Sequence, residues 1–145
     1  MKRTHRSFST LALLALSMLA APVAAQRVEI VDDTGRQIAL PAPAQRIVSL
    51  APHVTEMLFA AGAGDQVVGA VDYSDYPAAA KTRPRVGGYT RIDLEAVAAL
   101  RPDLVIGWHS GNRDGDVGRL QALGIPIYLS EPRNLEDIAH SLEQI

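Results

Sequence analysis

Short apolar runs alternate with helix-like segments through most of the sequence, and this alternation restricts the fold more than any other feature. The runs predicted as buried strands are 46–50, 67–71, 104–107 and 125–129. The segments predicted as helices are 54–61, 93–100, 117–123 and 135–145. Strands that alternate with helices in this way favour an α/β fold with a mostly parallel sheet flanked by helices.

A different pattern precedes the first of these strands. Two short apolar-rich runs, 28–31 and 37–40, flank the sequence Asp-Asp-Thr-Gly-Arg, which is typical of a tight turn. Pro41 and Pro43 follow the second run. We therefore expect a short β-hairpin before the parallel sheet. Pro126, near the start of the fourth predicted strand, indicates either an edge position for that strand or the point where the strand begins.

The first 25 residues have the composition of a secretory signal peptide. A basic start precedes an apolar run over 11–21, and small residues occupy 23–25. That run is shorter than the roughly 20 residues that a membrane span needs. We expect a mature protein over 26–145, exported to the periplasm. The sequence has no cysteine, so no disulfide stabilises it.

Charge and length limit the class of protein further. The sequence has 14 Lys+Arg and 16 Asp+Glu, and the predicted signal peptide holds three of the basic residues and none of the acidic ones. The mature chain is therefore acidic, which argues against a nucleic-acid partner. Its length suits a single domain with one modest core. We expect a monomer.

Aromatic, imidazole and carboxylate groups follow three of the predicted strands, in the loops 51–53, 72–77 and 108–112. In open parallel sheets, ligands bind beyond the carboxyl ends of the strands. We expect these loops to share one rim, because parallel strands end at the same edge. Aromatic residues with a polar tip provide rigid contact area and a hydrogen bond. The candidate ligand-binding residues are His53, Asp72, Tyr73, Tyr89, Trp108 and His109.

Some of these residues also admit a function of another class. His53, His109 and Asp72 could ligate zinc or iron, so a metal-dependent hydrolase is an alternative, and it predicts a turnover that a chelator abolishes. The sequence contains neither H-E-x-x-H nor G-x-S-x-G. We therefore assign no catalytic residue and no metal ligand. A stand-alone domain that binds a protein partner is a third interpretation.

Three segments together resemble a known family. They are SDYP at 74–77, VGGYTRIDLE at 86–95 and LRPDLVIGWHSGN at 100–112, preceded by RIVSLAPHVTEMLFAAGAG at 46–64. This combination is similar to that of the cobalamin-binding periplasmic proteins. These belong to a larger class of ABC-importer binding proteins for cobalamin, haem and ferric siderophores. The resemblance covers about 46–145.

The resemblance implies two Rossmann-like α/β lobes joined by a long helix, with the ligand between them. This chain corresponds to the N-terminal lobe, and we expect the second lobe to be absent. One lobe presents half of the ligand cleft, so we expect weak binding. The resemblance also implies that Tyr73, Tyr89 and Trp108 contact the corrinoid. It places the glutamate that docks on the membrane permease at Glu95.

The identity of the ligand stays open between cobalamin and other metal chelates. Tyr89 stands where the cobalamin proteins carry tryptophan, and haem binders of the class use a tyrosine to ligate iron. His53 or His109 would then supply a second iron ligand. The resemblance implies a transported ligand rather than a resident cofactor, and no chemistry on that ligand.

Overall fold

The computed structural model describes residues 27–144, and the predicted signal peptide lies outside these residues. The strands, in chain order, are β1 (Val28–Val31), β2 (Gln37–Leu40), β3 (Ile47–Ser49), β4 (Val67–Ala70), β5 (Gly87–Gly88), β6 (Arg91–Ile92), β7 (Leu104–Trp108) and β8 (Ile127–Ser130). The α-helices are α1 (Pro52–Ala60), α2 (Leu94–Ala99), α3 (Asp114–Ala122) and α4 (Leu135–Gln144). Two short 3-10 helices, Gly64–Gln66 and Ala78–Thr82, connect them.

The central sheet has four parallel strands in the order β4-β3-β7-β8. The predicted α/β fold with a parallel sheet is therefore confirmed. The chain adds β4 on one side of β3 and then places β7 and β8 on the other side. The direction of winding thus reverses between β3 and β7, which is the position where open α/β sheets form a crevice for a ligand.

The predicted hairpin is confirmed, and a second antiparallel pair was not predicted. In the hairpin, Val28 lies opposite Leu40. The second pair joins β5 to β6. A strand of two residues is too short to show an alternation of apolar and polar residues. The sequence pattern therefore could not predict β5 and β6. Gly87 in β5 has φ +87°, and a β-carbon there would lie 2.7 Å from the carbonyl oxygen of Arg91. Only glycine fits this position.

Apolar side chains cover both faces of the parallel sheet. Successive residues of a strand point to opposite faces. Val105 of β7 packs with Val97 of α2 and Leu120 of α3. Its neighbour Ile106 packs on the opposite face with Leu58 of α1. A strand in a parallel sheet buried on both faces needs a near-continuous run of apolar residues. Such runs allowed these strands to be predicted from the sequence.

The helix starts differ from the predicted ones for identifiable reasons. α1 begins at Pro52, because proline suits the first turn of a helix, where its missing N–H is not needed. Asp93 lies just before α2 and caps it, with its Oδ1 accepting from the amide of Ala96 at 2.9 Å. α3 begins at Asp114, three residues before its first buried apolar residue. The prediction had started at that apolar residue.

The helix ends and the edge strand follow the sequence signals. Gly62 and Gly124 follow α1 and α3 with φ of +84° and +78°, as expected for glycines that close helices. Asn134 caps α4 through a 2.9 Å hydrogen bond from the amide of Asp137. β8 is an edge strand and begins directly after Pro126, so both alternatives indicated by that proline hold. No helix within 27–144 combines the length and the apolarity needed to cross a membrane.

The hairpin turn is fastened to the edge strand β8 by a buried carboxylate. Asp32 is only 3% exposed. It accepts hydrogen bonds from Thr34 and from Arg36, whose Nη2 lies 2.7 Å from Oδ2, and one from the amide of Leu129 in β8. Burial raises the pKa of Asp32, but these hydrogen bonds outweigh that effect, so its pKa lies below the ordinary value. The charged form of Asp32 therefore stabilises the fold.

We expect Asp32→Asn to lower the free energy of unfolding by about 1–3 kcal/mol at pH 7, because it removes charge-assisted hydrogen bonds from a buried site. Urea denaturation measures this loss. The difference between the two proteins is fully present above the unfolded-state pKa of about 3.9, and it disappears as the pH falls through the lowered folded-state pKa. Asp65→Asn, at the fully exposed end of the Arg83 ion pair, should leave stability unchanged. Equal losses in the two variants would contradict this account.

Candidate ligand-binding site

The three loops predicted to share a rim follow the neighbouring strands β4, β3 and β7. All three strands run in the same direction, so their carboxyl ends lie at one edge of the sheet. The loop after β3 leads directly into α1, and the loop after β7 leads into α3. The predicted common edge is therefore confirmed by the strand order.

At this edge, Trp108 contacts two of the other predicted residues. The rings of His53 and Trp108 lie edge to face, with centroids 5.3 Å apart and planes at 87°. The ring of Tyr89 lies 5.9 Å from that of Trp108, tilted by 41°. Such spacings are favourable for aromatic pairs. We call His53, Tyr89 and Trp108 the aromatic cluster; it lies where the winding of the sheet reverses.

A buried asparagine that was not singled out from the sequence joins the loops beneath this cluster. Asn112 is 6% exposed. Its Oδ1 accepts from the amide of Trp108 at 2.7 Å, and its Nδ2 donates to the carbonyl oxygens of Leu50 at 2.9 Å and Tyr89 at 2.7 Å. One side chain thus connects the ends of β3 and β7 with the segment that carries Tyr89. In the sequence, only its position at the end of the Trp-His-Ser-Gly-Asn loop could have indicated this role.

The loop after β4 lies beside the segment that leads to Tyr89. The amide of Asp72 donates to the carbonyl oxygen of Gly87 at 2.8 Å. A β-carbon on Gly88 would lie 3.9 Å from Asp72 Oδ2. Tyr73 follows with φ +65° and a side chain that is 78% exposed. Left-handed backbone is unfavourable for a tyrosine, so the fold holds this exposed ring in a conformation that the residue itself disfavours.

Buried hydroxyl groups attach the same loop to α1. Thr55 Oγ1 lies 2.8 Å from Ser49 Oγ and 3.0 Å from Ser74 Oγ, and all three residues are buried. Ser74 directly follows Tyr73. The three loops of the rim are therefore held from below by two sets of polar contacts, this one and that of Asn112.

Two other predicted residues stand apart from the aromatic cluster. His109 is exposed, and its amide donates to the carbonyl oxygen of Ser130 in β8 rather than towards Tyr89. Glu95 is exposed on the first turn of α2, where it lines a surface depression with Arg91 and Asp93. Within 27–144, Glu95 takes part in no ion pair. Its charge is thus directed to solvent.

The surroundings of His53 favour its neutral form. Burial lowers its pKa, and the nearby carboxylates of Glu131 and Glu56 only partly oppose this effect. Its Nε2 is buried and has no hydrogen-bond partner among the described residues. A cavity of about 370 Å³ lies beside it, lined also by Trp108, Met57 and Ile138. A neutral, half-buried imidazole supplies contact surface rather than charge to this cavity.

The three residues suggested as metal ligands of a hydrolase do not come together in the structure. Among residues 27–144, no three His, Asp or Glu side chains come close enough together to hold a metal ion. His53, His109 and Asp72 therefore do not converge as that alternative requires. The reason is positional: Asp72 lies beside Gly88, His109 is exposed, and His53 faces Trp108. Three residues of types that can bind a metal, placed on one rim, were therefore not sufficient to form a metal site.

We expect the fluorescence of Trp108, the only tryptophan in the sequence, to fall as His53 is protonated, because an imidazolium in contact quenches an indole. The lowered pKa of His53 places this change below the ordinary histidine value of about 6.5. A titration of emission between pH 4 and 8 measures it. His53→Gln should remove the transition, whereas His109→Gln, at the exposed neighbouring position, should keep it. Loss of the transition in His109→Gln instead would contradict the assignment.

Comparison with known proteins agrees with this fold and identifies its family. The family described as "Periplasmic binding protein" matches residues 47–145. A vitamin B12-binding protein from Vibrio campbellii is 48% identical over 103 residues, which are 71% of this chain and 38% of the relative. The chain thus spans well under half the length of the curated relatives that it matches.

Solved structures give the same picture. The crystal structure of the periplasmic vitamin B12-binding protein of Vibrio cholerae is 44% identical, with a TM-score of 0.66, over 69% of this chain and 40% of that one. A periplasmic haem-binding protein from Pseudomonas aeruginosa is 29% identical, with a TM-score of 0.64, over 68% of this chain and 37% of that one. This chain therefore belongs to the periplasmic binding protein family.

Proposed function

We propose that this chain forms one wall of the ligand site in the substrate-binding component of an ABC importer, and that the ligand is cobalamin. The observation that carries the proposal is the contact of Tyr89 with Trp108 at the carboxyl ends of the parallel strands, beside the loop that presents the exposed Tyr73; we call these three residues the aromatic surface. Its support from outside the structure is the similarity to proteins named for vitamin B12 binding. The protein reaches the periplasm through its signal peptide.

The aromatic surface suits a large, flat ligand. Tyr89 is 37% exposed and Tyr73 still more, so both side chains have surface that a ligand can cover. Rings that are rigid and partly exposed lose little freedom when a ligand covers them. The neutral His53 and the half-buried Trp108 add apolar area behind them. None of these groups performs chemistry on the ligand in this proposal; the protein binds and delivers it.

Haem is the second candidate, and one residue favours it. Tyr89 carries a phenol that could ligate ferric iron, and two similar solved structures are periplasmic haem-binding proteins. His53 is poorly suited to a second iron ligand, because its Nε2 is buried. His109 is exposed but is not part of the aromatic cluster. Haem therefore depends on Tyr89 alone, whereas cobalamin uses the whole surface.

We expect cobalamin to bind residues 26–145 reversibly, more weakly than it binds the Vibrio cholerae relative, and at least about tenfold more tightly than haem or a ferric siderophore, a difference of about 1.4 kcal/mol. Calorimetric titration with each of the three ligands measures this order. A protein that binds haem and not cobalamin would transfer the assignment to haem.

The strained backbone of Tyr73 provides a matched pair of variants for this titration. Tyr73→Asn should weaken cobalamin binding by roughly three- to tenfold, since it removes an exposed aromatic contact. It should not lower stability, because asparagine tolerates left-handed backbone. Arg101, at φ +47° near the start of β7, is the control. Arg101→Asn relieves a similar backbone strain at the amino end of β7, the end away from the aromatic surface. It should leave the affinity for cobalamin unchanged.

Delivery to a membrane permease is assigned to Glu95. Its carboxylate is exposed and takes part in none of the ion pairs found in residues 27–144. It lies on the first turn of α2, in a surface depression lined also by Arg91 and Asp93. An unpaired surface carboxylate can meet arginines of a permease without first breaking a contact within its own chain.

We expect Glu95→Arg to abolish cobalamin uptake while leaving ligand affinity within about twofold, because the reversed charge repels a basic docking surface. Uptake is measured in cells that depend on this protein, and affinity by calorimetry. Glu136→Arg, an equal change on the first turn of α4, is the control and should preserve uptake. Loss of affinity in Glu95→Arg would place this glutamate in the ligand site instead.

A further inference from the structure

The last two residues of the loop after β7 hold its tryptophan from two directions. We propose that Gly111 and Asn112 are positioning residues that fix the indole of Trp108 against Tyr89, so that the aromatic surface is formed before a ligand arrives. This inference rests on the proposed function for its consequence in binding. Its structural part concerns Trp108 alone and can be tested without any ligand.

Gly111 is required by the indole itself. A β-carbon at this position would lie 1.9 Å from Cε3 of Trp108 and 2.3 Å from its Cδ2. No other residue type can therefore occupy position 111 unless the ring moves. A ring displaced by such a β-carbon would also change its contacts with His53 and Tyr89. The indole packs directly on the backbone of Gly111, and this packing sets its height above the sheet.

Asn112 fixes the backbone on both sides of the same ring. Its Oδ1 accepts from the amide of Trp108, and its Nδ2 donates to the carbonyl oxygen of Tyr89, so one amide group sets the separation of the two aromatic residues. The second donor bond, to Leu50, ties this unit to the end of β3. An amide that makes three hydrogen bonds in a buried site has one orientation only. The pair Tyr89–Trp108 is thus set by a rigid group.

A purely structural role predicts a different outcome from a positioning role. If Asn112 and Gly111 only closed the loop, their replacement would lower stability and leave the environment of Trp108 unchanged in the folded protein. If they position the ring, the folded variants must show a displaced Trp108. Binding then weakens because the free protein no longer holds the competent arrangement, which reduces affinity by the fraction of molecules that do.

The test compares Gly111→Ala with Gly118→Ala. Gly118 lies in α3, seven residues later, and a β-carbon there meets nothing within 4 Å. The readouts are the near-ultraviolet circular dichroism and acrylamide quenching of Trp108, the melting temperature, and the affinity for cobalamin. We expect Gly111→Ala to change the tryptophan bands, increase quenching, and weaken cobalamin binding at least about tenfold. We expect Gly118→Ala to change none of these signals of Trp108.

A second variant keeps the test decisive if Gly111→Ala folds poorly. Asn112→Asp keeps the acceptor for the amide of Trp108 and loses the donors to Leu50 and Tyr89. It should increase the exposure of Trp108 to acrylamide. Unchanged tryptophan signals in both folded variants would overturn the positioning role, even if cobalamin binds. Altered tryptophan signals in the variants, together with no cobalamin binding by the unsubstituted chain, would support positioning and would contradict only the proposed function.

Discussion

The parallel pairing of β3 with β7 determines where every candidate ligand residue lies. The two strands are adjacent and run in the same direction, and the amide of Leu50 continues the ladder by donating to the carbonyl oxygen of Ile106 at 2.9 Å. α1 and the loop after β7 therefore start side by side. This is why His53 meets Trp108, although the two are far apart in sequence. Because β4 adds to the other edge of β3, the loop with Tyr73 joins the same rim.

Much of this arrangement could be predicted from the sequence, because it depends on periodic patterns. Runs of apolar residues buried on both faces identified the four parallel strands, and alternation with helices set their direction. The shared rim followed from the direction alone. The roles of Asn112 and Asp32 could not be predicted, because each depends on hydrogen bonds to a strand distant in sequence. Polar residues in loops carry no period, and nothing in the sequence distinguishes a buried amide from an exposed one.

Residue types alone also failed to separate binding from catalysis. His53, His109 and Asp72 are the right types for a metal site, and the structure separates them by giving each a different neighbour. Burial then lowers the pKa of His53 and so favours its neutral form. The Nε2 of this imidazole is buried and has no partner within residues 27–144, so the neutral form is favoured and the ring is better suited to packing against an indole than to binding an ion. Geometry and burial, and not composition, keep His53, His109 and Asp72 from forming a metal site among residues 27–144.

The rim has buried polar contacts on the side of the core and exposed aromatic rings on the side of the solvent. Below, Thr55 lies within hydrogen-bond distance of Ser49 and Ser74, and Asn112 joins the ends of β3 and β7 to the segment that carries Tyr89. Above, Tyr73 and Tyr89 expose their rings to solvent. Exposed aromatic surface in a folded protein marks a site of interaction, because water solvates it poorly. Satisfied polar groups beneath such a surface keep it from collapsing into the core. The same contacts that complete the hydrogen bonding of the sheet edge thus maintain the surface on which a ligand can pack.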